Sequence, residues 1–413
     1  MYTYTFQKKF TDHKVNYFFI FYSIKSVMMQ KPFIPTTSIV LGLIALIAVY
    51  FFFPFERQNK KEIVFGCSAA LTGPLQENGI DYTNGIMCGF KALNDSGGVH
   101  DRRIRLRVLD DQYEPFITGK NVSLLMQDPN LFGILGVVGT PPSEEALKIT
   151  ARTEIPFLMP LSGAEFLYNF PYGHLFTLRP SYYDEARRMV KHMQSQNIRK
   201  ISIFYQNDSY GLATLYALQQ AVRNTPIRIV AEGVYNRNTL SIHYAFNEIT
   251  KASPEAVVIG GALKPTVEFI GKTAQHNPKL TFYTFSFVGY EPLKKALLKL
   301  PLNSVPMYMT QTVPSMDTKL PEIETFKRLY QFYYPSQEPT SIAFEGYLAS
   351  QVIIEALKKT PRLSRTSFAD TLSKLEFQLV DGQIIRYSAQ QHRGLRNVYL
   401  LKLNSAHGEN SYE

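Results

Sequence analysis

The sequence predicts an α/β protein of two lobes, and three observations carry that expectation. After Lys61, short apolar runs alternate with stretches of helical period, the pattern of parallel sheets covered by helices on both faces. The chain has 413 residues, enough for at least two cores, because single domains usually stop growing near ~100–200 residues. Hydrophobic residues at 45% and charged residues at 19%, with Gly and Pro dispersed, exclude a disordered chain.

The strands are expected at Glu62–Ser68, Ile104–Asp110, Gly133–Val138, Pro156–Met159, Lys200–Tyr205, Arg228–Val234, Ala256–Gly260, Thr281–Phe285 and Val305–Thr310. Helices fill most of the gaps. Tyr183–Gln196 sets Ala186, Met189, Val190 and Met193 on one face, with Arg187, Arg188 and Lys191 outward. Ile342–Lys359 does the same with Ala349, Val352, Ile353, Ala356 and Leu357. Near the end, apolar runs about Asp381-Gly382 and then Val398–Leu403 read as a hairpin or paired strands that return to a lobe.

The net charge of +10 suggests a nucleic-acid partner until it is divided along the chain. Eight Lys and Arg precede Glu62 against Asp12 and Glu56, a net of +6 that leaves only +4 to the rest. Arg103, Arg105 and Arg107 alternate with apolar residues, as on the solvent face of an edge strand, so no nucleic acid is expected. The two cysteines, Cys67 and Cys88, match no zinc or redox spacing. They are either two buried thiols, one at the end of a core strand and one inside a helix, or a disulfide.

Ile39–Phe55 is almost wholly apolar, near the lower length limit for a membrane-spanning helix. It ends in aromatics and Arg57, Lys60 and Lys61 without a small-x-small cleavage site, which favours an uncleaved anchor over a removed signal. Lys8, Lys9, Lys14, Lys25 and Lys31 ahead of it put the bulk of the chain outside the cytoplasm. The expected location is outside the cytoplasm, tethered to the membrane. Residues 1–38 form an N-terminal segment, and Met28 or Met29 would begin a tidier anchor.

Several short motifs follow one another after the anchor. They are Leu71-Thr72-Gly73-Pro74, Asn84-Gly85, Asn94-Asp95-Ser96-Gly97-Gly98-Val99 and Leu109-Asp110-Asp111-Gln112-Tyr113-Glu114-Pro115. Gly136 to Thr140, Pro160 to Glu165, Tyr205 through Gly211, and Phe344-Glu345-Gly346-Tyr347 come next. In this order they resemble the type I periplasmic binding proteins of branched-chain amino-acid transport, over about residues 62 to 405. The resemblance implies two Rossmann-like lobes joined by three crossovers, with a ligand held in the cleft between them. Lobe one would comprise 62–178 plus 306–382, and lobe two 179–305 plus 383–413. It also implies a small-molecule ligand and an ABC permease as partners.

Six residues are expected at the ligand. Thr140 lies between a strand and a helix, where it can cap the helix and turn its hydroxyl toward the cleft; by resemblance it contacts a ligand carboxylate. Ser162 and Gly163 occupy the next strand-to-helix turn, where glycine lets the backbone come close to a ligand. By resemblance Tyr210 covers the ligand, while Asn78 and Ser286 align with cleft positions. The departures matter as much. Ser286 stands where the amino-acid binders have a glutamate for the ligand's ammonium group, Ala262 stands where they have a tyrosine, and Pro141 and Pro142 remove two backbone donors. A buried ammonium without a carboxylate is costly, so the expected ligand lacks one.

No cofactor or metal is expected, and no catalysis. The eight histidines form no metal-ligand pair, and no nucleophile elbow or P-loop occurs. The expected function is capture of a small polar solute for an ABC importer. A ligand-sensing module that signals closure to a membrane partner is the alternative.

Overall fold

In the computed structural model, residues 62–169, 173–300, 305–403 and 411–412 are described. The expected anchor at 39–55 and the segment before it lie outside the described residues. Among the described residues no helix is long and apolar enough to cross a membrane.

The first sheet grows from β1 (Glu62–Ala69), whose interior run Ile63–Ala69 is buried on both faces. Strand β2 (Arg103–Asp110) pairs with it in parallel from Glu62↔Arg103 to Ala69↔Asp110 and forms one edge, with Arg103 and Arg105 exposed. On the other side stand β3 (Leu131–Leu135), β4 (Phe157–Leu158) and β5 (Leu175–Phe176), giving the order β2-β1-β3-β4-β5. Helices α1 (Gln76–Asp95), α2 (Pro115–Leu125) and α3 (Thr140–Thr150) connect them.

After α4 (Tyr182–Ser195) the same order recurs. Strands β6 (Lys200–Gln206), β7 (Arg228–Tyr235), β8 (Ala256–Gly260), β9 (Thr281–Thr284) and β10 (Met307–Gln311) run β7-β6-β8-β9-β10, all parallel. Between them lie α5 (Ser209–Val222), α6 (His243–Ala252), α7 (Leu263–His276) and α8 (Tyr290–Leu297). The chain then returns to the first lobe through α9 (Pro321–Tyr333), α10 (Ser341–Lys359), α11 (Arg365–Leu372) and the hairpin β11 (Glu376–Val380) to β12 (Gln383–Arg386). It finishes with β13 (Tyr399–Leu403), antiparallel to β10, and β14 (Ser411–Tyr412).

Strand β10 corrects one expectation. The division read from resemblance put 306–382 in lobe one, but Met307–Met309 pair with Phe282–Thr284 and Met307–Gln311 with β13. The strand therefore belongs to the second sheet, and the crossing to the first lobe comes after Gln311. The stretch from Gln383 to Leu395, expected in lobe two, instead pairs with β11 and bonds Thr177 and Leu178 of the first lobe, so the return to the second sheet comes with β13. Both cysteines are buried free thiols, Cys67 in β1 and Cys88 in α1. The Cys67 thiol donates to the carbonyl of Gly136 at 3.2 Å.

Helix α10 packs lengthwise on α1 at a distance only glycine permits. A Cβ on Gly85 would overlap the carbonyl of Ala343, and one on Gly346 the carbonyl of Tyr82. Backbone cannot yield as a side-chain tip can, so the two helices lock the late segment 341–359 onto the start of the fold. Gly346→Val is expected to cost at least about 3 kcal/mol, at the upper end of overpacking effects. Urea denaturation of the variant measures it as a lowered midpoint.

Candidate functional site

Open parallel sheets bind ligands beyond the carboxyl ends of their strands, where the strand order reverses. Here those points lie between β1 and β3 in one lobe and between β6 and β8 in the other. Loops from both meet. Asn78, at the start of α1, donates its side-chain amide to the carbonyl of Phe287 in the second lobe at 2.6 Å. Gln206 at the end of β6 reaches Tyr113 OH at 3.4 Å, and Glu114 pairs with Arg237 at 2.7 Å.

All six expected residues lie in or beside this junction and are buried. Thr140 is not the helix cap. Gly139, with φ of +95°, takes that position and Thr140 is the first residue of α3, so its hydroxyl is free to bond sideways, to Ser162 Oγ at 2.8 Å and Tyr182 OH at 3.3 Å. Gly163 allows a close approach, but of protein: a Cβ there would sit 2.7 Å from the Tyr182 ring. Tyr210 opens α5, whose cap Asp208 accepts from the amides of Tyr210 and Gly211 at 2.9 and 3.3 Å. Its ring packs at 5.6 Å from Tyr182 and 4.9 Å from Phe287, and its buried hydroxyl has no hydrogen-bond partner.

Ser286 leads to a group that sequence reasoning did not single out. Its amide and hydroxyl donate to Glu185 at 2.8 and 2.9 Å, and its oxygen accepts from Arg179. Arg179, only 2% exposed, lies between β5 and α4. Its guanidinium stands 3.9 Å from Glu185 of α4 and 3.5 Å from Glu345 of α10. Thr310 of β10 also donates to Glu185, and Thr312 to Glu345 at 2.8 Å. One cation and two carboxylates thus join the hinge, the first lobe and the second.

Burial pushes the Glu185 carboxyl up, against the lowering pull of Arg179 and of its hydrogen bonds. Burial would lower Arg179, but Glu345 and Glu185 outweigh it and hold the guanidinium charged. A carboxylate therefore does stand in the cleft beside position 286, supplied from α4. Three donors and Arg179 already occupy it. The sequence carried two signals for this cluster: an arginine isolated between Leu178 and Pro180, and Glu345 within a helical run buried on every side.

A second acidic group spans the lobes at the start of α10. Asp81 of α1 accepts from Thr340 Oγ1 at 2.8 Å, and Glu291 of α8 accepts from the amide and hydroxyl of Ser341 at 3.0 and 2.6 Å. Burial, with Glu291 and Glu77 adding to it, raises the Asp81 carboxyl to about 7 despite the Thr340 bond. Among the described residues no three His, Cys, Asp or Glu side chains gather as metal ligands. The junction offers hydroxyls, aromatic faces and a buried cluster of one guanidinium between two glutamates, which suits holding a molecule.

Two matched α/β lobes that meet over a polar, aromatic junction define a two-lobed binding protein. Residues 62–409 match the family model of the periplasmic binding proteins, and the chain belongs to that family. It is similar to a possible leucine/isoleucine/valine-binding protein from Rhodopirellula baltica, with 26% identity over 86% of this chain and 96% of that one, at a TM-score of 0.78. A branched-chain amino-acid ABC transporter protein from Thermus thermophilus with bound valine shares the fold at 16% identity, 85% and 95% coverage and a TM-score of 0.76. So does a solute-binding protein from R. palustris in complex with benzoate, at 16%, 85% and 95%, and 0.74. A search of curated proteins by sequence gives no significant match.

Two outcomes follow from the charges. Arg179→Met leaves Glu185 and Glu345 buried without their counter-ion and is expected to cost about 3–5 kcal/mol in denaturant unfolding. For Asp81 the folded value lies above the unfolded one of about 3.9. The native state then holds a proton that the unfolded chain has lost, so stability falls as pH rises from about 4 to about 7 and levels off above. Asp111, raised to about 6 by burial, acts in the same sense, so Asp81→Asn should make the fall shallower, read from denaturation midpoints across the range.

Proposed function

We infer that this chain is the solute-binding component of an ABC-type importer, held on the periplasmic side of the inner membrane by residues 39–55, and that its ligand lacks a free α-ammonium group. The observation that carries the reading is the meeting of Asn78, Thr140, Ser162, Gly163, Tyr210 and Ser286 at one junction between the lobes. Ligand closure of two such lobes buries the solute and presents a changed surface to a permease. Tethering raises the effective concentration at a permease in the same membrane.

The ammonium argument rests on the ion cluster. Glu185 bonds Ser286 directly, and its oxygens already accept from Ser286 and Thr310 while Arg179, shared with Glu345, faces it at 3.9 Å. A ligand ammonium would have to compete with a guanidinium fixed in the chain. Relatives in fold hold valine in one case and benzoate in another, so the fold admits both classes.

The test is a thermal-shift screen of small amides, carboxylates and amino acids, with co-purification to identify the membrane partner. An ABC permease supports uptake, and a membrane kinase or chemoreceptor would turn the reading to sensing. Tight binding of leucine would refute the missing ammonium. For the best ligand, Thr140→Ala and Tyr210→Ala should each weaken binding at least tenfold, about 1.4 kcal/mol, while the far-ultraviolet circular dichroism stays unchanged.

A further inference from the structure

Outside the packed junction, the lobes leave a cavity of about 510 Å³ at their mouth. That lies within the ~300–1,000 Å³ of small-molecule sites. Gly73, Pro74 and Gln76 wall it from the first lobe, and Asn238 to Leu240, Ala262, Lys264 and Pro265 from the second. The wall is apolar at Pro74, Leu240, Ala262 and Pro265. Leu240 is 56% exposed, a large apolar side chain left uncovered between two lobes.

Lys264 is the charged residue of that wall, and it has no ion-pair partner among the described residues. One turn along α7 stands Glu268, exposed like Lys264 and not ion-paired with it, while Glu114 across the mouth is taken on both oxygens, by Arg237 and Asn238 at 2.7 Å each. Behind the wall the amide of Ala262 donates to Tyr235 OH at 2.8 Å, Tyr235 donates to Gln206 at 3.0 Å, and Gln206 reaches Tyr113. This chain of bonds links the cavity to the aromatic junction. The junction itself offers an anion little: Thr140 and Ser162 bond each other and Pro141 and Pro142 carry no N–H.

We propose that the mouth cavity is part of the ligand site and takes a small carboxylic acid with an apolar body, its carboxylate paired with Lys264 and its body against Pro74, Leu240, Ala262 and Pro265. This rests on the solute-binding reading above and names its ligand class. Lys264 sets the charge preference, and the small side chain at Ala262 leaves room for the body. Lobe closure removes water from the pair and strengthens it beyond an exposed ion pair.

The full-length chain in detergent is titrated calorimetrically with 3-phenylpropanoate, 3-phenylpropanamide and leucine. The acid should bind at least tenfold tighter than the amide. Lys264→Gln, a change at an exposed side chain, should bring the acid to the level of the amide, and Ala262→Tyr should abolish acid binding while the far-ultraviolet circular dichroism stays that of the folded chain. Equal binding of acid and amide, full acid binding by Lys264→Gln, or no acid binding overturns the proposal. If leucine or the amide still binds in those cases, the solute-binding reading stands without the acid class. Silence of all three probes and of a broader solute screen overturns both.

Discussion

Arg179 sits where the chain leaves the first sheet for the second, and the arrangement of the two lobes depends on how its charge is met. The guanidinium is buried, so leaving it unpaired would cost several kcal/mol. Glu185 from α4 and Glu345 from α10 meet it, and Ser286, Thr310 and Thr312 supply hydrogen bonds to the cluster. Arg179 and Glu185 come from a segment more than a hundred positions before the one that supplies Ser286, Thr310, Thr312 and Glu345. Bringing them together fixes the angle at which the lobes face one another, because each bond requires its own element in place.

Around that point the architecture repeats itself. Both sheets place their first strand second in order, next to the edge, so each lobe has one switch point and both open toward the junction. Glycine decides how closely the pieces fit. Gly85 and Gly346 let α10 seat on α1, which carries Glu345 to Arg179. Gly139, in the left-handed region, turns Thr140 into the helix and points its hydroxyl at Ser162 and Tyr182. Helix packing and site geometry are therefore one problem: the residues that set the first also aim the second.

Much of this was legible in the sequence. The strand Ala256–Gly260 falls where its apolar run ends at Gly260-Gly261, and the face Ala186, Met189, Val190 and Met193 of α4 is buried as its period requires. The turn at Asp381-Gly382 does join two antiparallel strands. Strand β10 was harder to place, because a parallel strand reads alike in either sheet and its partners, β9 and β13, lie on both sides of it in the chain. Thr140 is of the residue type that commonly caps a helix, yet Gly139 adopts a backbone conformation that displaces the cap by one residue.

By itself the sequence determined the α/β class, the strands and helix faces, and the family, since these follow from periodicity and from short motifs in a fixed order. By resemblance it also marks Ser286 and Ala262 as departures from the amino-acid binders. Only the tertiary structure decided what stands beside them: Glu185 behind Ser286, Arg179 between two glutamates, and an open cavity beside Ala262. Periodicity reports which face of an element is buried. The identity of what it is buried against comes from contacts between distant segments, and no local pattern encodes them.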